Sequence, residues 1–222
     1  MATCEGVIFD LDGTLLDSLD DLADSMNAVL QGHGLPTHPV EAYRFFVGDG
    51  IARLVERALP EQRREPEFLK TCVEQMKARY DAGWAAKTRP YPGIEELLGA
   101  LSLRTVPCAI LSNKPDAFTQ VMVKTLLKPW RFAVVRGELE GVPRKPDPRG
   151  ALLVCEQLGI EPQRVAFVGD SGVDMQTAVA AGLLAVGVTW GFRPVAELKE
   201  QGAQKICAQP RDLLPLFLTS PK

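Results

Sequence analysis

Asp10 and Asp12, two carboxylates with one residue between them, close the apolar run Gly6-Val7-Ile8-Phe9 and are followed by Gly13 and Thr14. Acids at that place can do chemistry. A short apolar segment suits a central parallel strand, and ligands in open α/β sheets bind beyond the carboxyl ends of strands. The plain alternative is a hairpin with an Asp-Gly turn. It requires a returning strand with period-two alternation, whereas Leu15-Leu16-Asp17-Ser18-Leu19 leads into a helical pattern. A calcium loop would carry glycine at position 15, where this chain has Leu15.

Three further loops follow strand-like runs. Ser112-Asn113-Lys114 follows Val106 to Leu111, and Pro143-Arg144-Lys145-Pro146-Asp147-Pro148 follows Phe132 to Val135. Gly169-Asp170-Ser171-Gly172-Val173-Asp174 follows Val165 to Val168. Taken singly, each has a simpler reading: Ser112 and Asn113 as turn formers or a cap, Lys145 as a solvated charge, Asp170 as an N-cap, Asp174 as a complement to a helix dipole. Taken together, they could gather acids, a hydroxyl and a lysine along one edge of a parallel sheet.

That grouping suits phosphoryl transfer. A carboxylate approaching a phosphate monoester meets repulsion of about 4 kcal/mol per charge pair at roughly 4 Å and intermediate dielectric. A hard cation such as Mg²⁺, held by oxygens of Asp10 and Asp170, would offset it, with Lys145 as a further positive charge. Ser112 and nearby N–H groups could hydrogen-bond the equatorial oxygens. Serine or cysteine nucleophiles usually depend on a base, and the two histidines, His33 and His38, lie in the turn region of the helical insertion, where neither is placed for a triad. A carboxylate attacks without prior deprotonation. Asp10 is therefore the expected nucleophile, and Asp12 the acid that protonates the leaving alkoxide and then the base that activates water.

The elements that must position these groups are of two textures. Leu19, Leu22, Ala23 and Met26 share one helix face, with Ser18 as a candidate cap; Ile51, Leu54, Val55 and Ala58 share another, and so do Leu69, Cys72, Val73 and Met76. Residues 17–88 thus predict an all-helical inserted unit, bounded by Arg89-Pro90-Tyr91-Pro92-Gly93. Residues 1–16 and 89–222 predict an α/β core in which helices alternate with the strands of a parallel sheet, with further strands at Leu184 to Val188 and Lys205 to Cys207 and a closing helix.

A length of 222 residues permits a substantial core, and a net charge of −3 with scattered signs argues against nucleic acid as a partner. Five dispersed cysteines without a C-x-x-C pair read as reduced thiols. No apolar stretch is long enough to span a membrane, so a cytoplasmic protein is expected.

The four segments resemble the motifs of the haloacid dehalogenase superfamily, in order and over nearly the whole chain: D-x-D-G-T at Asp10 to Thr14, then Ser112, Lys145, and G-D-x-x-x-D at Gly169 to Asp174. The resemblance implies a Rossmann-like core, a parallel sheet flanked by helices, together with an aspartyl-phosphate mechanism and Mg²⁺ bound by the Asp10 side chain, the Asp12 backbone carbonyl and Asp170, with Asp174 supporting the metal's water shell or orienting Lys145. An acid at position 12 separates this pattern from the dehalogenases and phosphonatases of the superfamily. The inserted helices resemble a cap domain that selects the leaving group. Val47-Gly48-Asp49-Gly50 and the helix after it are similar to bacterial phosphoglycolate phosphatases. That similarity implies Gly48, Asp49, Gly50 and Arg53, with Ser112 and Asn113, as substrate-binding residues. The expected partner is a small phosphorylated metabolite, 2-phosphoglycolate above others, acted on by a monomer or homodimer. Phosphosugar mutases and sugar-phosphate or pyrophosphate phosphatases of the same superfamily, and a non-catalytic binding protein, are the competing expectations.

Overall fold

The computed structural model describes residues 4–217. Their contacts divide into two compact units, one of residues up to Leu16 together with Pro90 onward, the other Asp17–Arg89.

The first unit is built on a six-stranded parallel sheet. Its strands are β1 (Gly6–Phe9), β4 (Cys108–Pro115), β5 (Val134–Glu138), β6 (Val165–Gly169), β7 (Leu184–Val188) and β8 (Lys205–Cys207), in the order β5-β4-β1-β6-β7-β8. Two-residue strands β2 (Leu16–Asp17) and β3 (Arg89–Pro90) pair separately where the chain leaves and re-enters this unit. Val7, Ile8 and Phe9 are wholly buried, as a central strand covered on both faces demands. Strand β1 pairs in parallel with β4 on one side and β6 on the other. The strand order therefore reverses at β1, and the crevice such a switch point opens lies at its carboxyl end, where Asp10 begins.

Helices α5 (Ile94–Leu103), α6 (Asp116–Leu126), α7 (Arg149–Leu158), α8 (Gly172–Ala181) and α9 (Val195–Glu200) alternate with these strands. Ile8, Phe167 and Ala185 from the sheet pack with Val154 and Cys155 of α7 and Met175 and Ala178 of α8 in one buried cluster. Burial of the larger of these, Ile8, Phe167, Val154 and Met175, contributes roughly 1.5–3 kcal/mol each.

Three expectations change in detail. Strand β4 starts two residues later than the apolar pattern indicates and runs on through Ser112, Asn113 and Lys114, so these lie in the strand rather than after it. Pairing with β5 shifts register between Leu111 and Pro115, and the buried polar side chains of this extension are met by hydrogen bonds and an ion pair. Strand β5 is likewise displaced toward Glu138. The closing segment, Pro210–Phe217, is a 3-10 helix that contains Pro215, which cannot donate to a helical ladder.

The second unit is helical: α1 (Leu19–Gly32), α2 (Tyr43–Phe46), α3 (Ile51–Ala58) and α4 (Pro66–Gly83). Leu22, Ala23 and Met26 of α1, Leu54 and Val55 of α3, and Cys72 and Met76 of α4 form its interior. Ser18 occupies the N-cap position of α1 but makes no capping bond through its hydroxyl. Buried Asp21 instead accepts from the Lys87 N–H, the Thr88 N–H and the Thr88 hydroxyl, tying the unit's last residues to its first helix. His38 bonds the Ala58 carbonyl and His33 the Gln75 side chain, so both imidazoles serve this unit's own framework.

Candidate active site

Lys145 is the hub of the arrangement at the carboxyl end of the sheet. Its ammonium lies 2.8 Å from Asp10 Oδ1 and 2.7 Å from Asp174 Oδ1, with its side chain only 3% exposed. An ammonium is stable at such depth only when paired. Burial opposes its charge, but Asp10 and Asp174 outweigh that penalty and raise its pKa. Lys145 is placed by Asn113: the Lys145 N–H donates to Asn113 Oδ1 at 2.9 Å, and Asn113 Nδ2 donates to the Lys145 carbonyl at 3.1 Å. Asn113, expected to touch substrate, thus uses both ends of its amide on the main chain that carries the lysine.

Asp10 follows β1 directly, and its N–H donates to the Val168 carbonyl of β6. Asp170 follows β6. The register Phe9↔Val168 brings these two acids together without any side-chain attraction. Carboxylate oxygens of Asp10, Asp170 and Asp174 lie within 4.8 Å of one another. Burial pushes the Asp10 carboxyl up to about 7, against the opposing pull of Lys145 and with Asp174 adding to the rise. Asp170 is likewise raised, by burial first and then by Asp174 and Asp10. The cluster holds more negative charge than Lys145 relieves. All-oxygen, partly desolvated donors of this kind fit a hard divalent cation such as Mg²⁺. The Asp12 side chain lies apart from the three-acid cluster, on Lys114, which leaves only its backbone carbonyl for the metal role the resemblance implies.

The remaining acids have different surroundings. Asp174 occupies the third position of α8 and forms a capping box with Ser171: its Oδ2 accepts from the Ser171 N–H and hydroxyl while Oδ1 takes Lys145. Ser171, not Asp170, is therefore the cap of α8. Asp170 is held by the Thr14 hydroxyl at 3.2 Å and the Phe192 N–H at 2.8 Å. Gly13, at φ +82°, turns the chain against Asp170 so closely that a Cβ there would overlap its carboxylate. Trp190 closes this corner by donating its indole N–H to the Thr14 carbonyl. Ser112 is buried within β4, and its hydroxyl accepts the Lys114 N–H at 3.2 Å.

Lys114 is the residue that motif reasoning passed over. Its Nζ lies 2.9 Å from the Asp12 carboxylate. A lysine beside the second-motif serine was visible in the sequence, but nothing local tied it to an acid 102 positions earlier. Thr14 and the Trp190 to Phe192 turn were also missed as supports for Asp170.

Gly48, Asp49, Gly50 and Arg53 belong to the helical unit. Gly48 and Gly50 both adopt positive φ, at 120° and 86°. Arg57 organises this turn by pairing with Asp49 and donating to the Phe46 carbonyl. Arg53 is exposed and pairs with Glu56 on the same helix.

Residues 7–188 match the family model described as haloacid dehalogenase-like hydrolase. The chain is 34% identical over 213 residues to a phosphoglycolate phosphatase of Chromobacterium violaceum, covering 95% of this chain and 96% of that one. It is 33% identical over 214 residues to an N-acetylmuramic acid 6-phosphate phosphatase of Pseudomonas aeruginosa, covering 96% and 94%. A crystal structure from Lactobacillus delbrueckii subsp. bulgaricus, of a protein provisionally named a phosphoglycolate phosphatase, superposes with a TM-score of 0.91 at 30% identity, covering 98% of this chain and 100% of that one.

Proposed function

We propose, from the premise that this chain belongs to the haloacid dehalogenase-like hydrolase family and is a phosphoric monoester hydrolase, that it is Mg²⁺-dependent and hydrolyses 2-phosphoglycolate to glycolate and phosphate through an aspartyl-phosphate. One observation carries the catalytic reading: Asp10, at the switch point of the sheet, is ion-paired with Lys145 within a cluster of oxygen donors.

Asp10 attacks phosphorus and the bond to the ester oxygen breaks. Asp12 gives its proton to the departing alkoxide. Asp12 then takes a proton from water, whose oxygen attacks phosphorus, breaks the Asp10–phosphate bond and releases inorganic phosphate. Lys145 and the Ser112 hydroxyl hold the phosphoryl oxygens as charge builds, and Asn113 and Asp174 keep Lys145 in place. Side-chain oxygens of Asp10 and Asp170 and the Asp12 carbonyl would hold Mg²⁺, with Asp174 in support. The ion would supply positive charge that lets an anionic nucleophile meet an anionic ester.

The glycolate assignment draws on the names of the relatives. The N-acetylmuramic acid 6-phosphate phosphatase, at nearly equal identity, favours a sugar phosphate as the second reading. In the helical unit, the Gly48 to Gly50 turn and Arg53 are the proposed leaving-group contacts, with Asp49 bracing the turn through Arg57. Five buried, unpaired cysteines suit a reducing cytoplasm, and among the described residues no helix is long and apolar enough to cross a membrane. Phosphate release from a panel of phosphomonoesters with Mg²⁺ tests the reading. A leading kcat/KM for 2-phosphoglycolate is expected. A leading sugar phosphate would overturn the substrate, and no release from any ester would overturn the activity.

A further inference from the structure

We propose that Lys114 is a specificity-determining residue, whose ammonium receives a carboxylate carried on the leaving group beside the ester oxygen. The proposal rests on the reading above that Asp12 serves the leaving oxygen.

Lys114 lies in β4, and its side chain is 6% exposed. Met122 Sδ stands 3.2 Å from its Nζ, and the Phe118 ring centre 5.2 Å away. A charge held among such neighbours is no solvated surface lysine. Its Nζ is 2.9 Å from the Asp12 carboxylate, 102 residues away in the chain. Lys145 already compensates the nucleophile, on the Asp10 and Asp174 side of the site. The two buried lysines therefore face different parts of a substrate: Lys145 faces the phosphoryl group, and Lys114 the atoms beyond it.

The proton carrier must hydrogen-bond the ester oxygen, at about 2.7 Å. Lys114 Nζ is one further hydrogen bond from the same carboxylate, so the ester oxygen falls within roughly 5.5 Å of it. A carboxylate on the adjacent carbon spans that remaining gap, whereas a neutral group would leave the ammonium facing an apolar or wet surface. Nζ also donates to Met122 Sδ, and because a thioether is a weak acceptor, a substrate carboxylate would displace it as the stronger partner. The ligand class is a short phosphate ester with an α-carboxylate, and its recognition lies in the α/β unit itself rather than in the helical unit alone.

Ethyl phosphate has the leaving-group skeleton of 2-phosphoglycolate with a methyl in place of the carboxylate, so the pair isolates the contact. In the wild type with Mg²⁺, kcat/KM should favour the carboxylated ester by on the order of 10²-fold. Lys114→Met should remove most of that preference by lowering phosphoglycolate turnover, with a much smaller fall for ethyl phosphate. Lys114→Arg, which keeps the charge, should retain part of it. A wild-type preference near one overturns the proposal without recourse to any variant. Equal losses on both esters in the folded variants also overturn it, assigning Lys114 to the positioning of Asp12 only. A wild type that hydrolyses neither ester, nor any other phosphomonoester, overturns the phosphatase reading and this proposal with it.

Discussion

Lys145 bridges Asp10 and Asp174 with ammonium-to-oxygen distances of 2.8 and 2.7 Å, joining the end of the first strand to the first turn of α8. One buried cation thereby sets the position of the proposed nucleophile and of a helix terminus at once. Its own position depends on Asn113 in β4, so three strand ends share one set of contacts.

Asp10→Asn should abolish phosphate release, by at least about 10³-fold, because an amide is a poor nucleophile toward phosphorus. The thermal melt should stay close to that of the wild type. Turnover above a few per cent, measured by phosphate release from purified protein, would exclude the covalent route.

Asn113→Ala removes both bonds to the Lys145 main chain. A loss of about 1–3 kcal/mol in urea unfolding is expected, since buried N–H and C=O groups are left unsatisfied. A roughly 10-fold fall in kcat should accompany it, because Lys145 loses its fixed placement. Normal kcat in a destabilised protein would limit Asn113 to the fold.

Metal removal should act differently at different pH. In the metal-free protein, Asp10 is raised from an ordinary 3.8 to about 7. Between those values the folded state binds a proton that the unfolded state has released, so stability falls as pH rises through that window. A cation bound to the ionised carboxylates reverses the trend. Mg²⁺ should therefore raise Tm more at about pH 7.5 than at about pH 5, and EDTA should cancel the difference. Equal shifts at both pH values, read by calorimetry, would remove these acids from the metal site.

Gly13→Ala places a Cβ against the Asp170 carboxylate on backbone at φ +82°. Strain and displacement of Asp170 should cost about 1–3 kcal/mol and shrink the Mg²⁺-induced rise in Tm. An unchanged response to Mg²⁺ would show that the turn tolerates a side chain.

Several parts of this molecule are legible in one dimension for local reasons. Val7 to Phe9 and Val165 to Val168 are apolar without alternation, which marks strands covered on both faces, and the helix faces at Leu19 to Met26 and Ile51 to Ala58 repeat every three or four residues. The α/β core with inserted helices follows from such patterns. Strand β4 shows where locality ends: Ser112 to Lys114 read as a loop because they are polar, yet they continue the strand because pairing with β5 and burial against neighbouring elements decide the backbone there.

What the sequence alone determined was the inventory of reactive groups, Asp10 and Asp12, Ser112, Lys145, Asp170 and Asp174, in four segments that each follow an apolar run. Only the tertiary structure decided who pairs with whom. Lys145 takes Asp10 and Asp174, Lys114 takes Asp12, Asn113 takes the lysine's main chain, and Thr14 with Phe192 takes Asp170. The physical reason is distance along the chain. An ion pair between residues 102 positions apart has no local signature, because it exists only once the strand order puts β4 beside β1 and burial removes the water that would otherwise screen both charges.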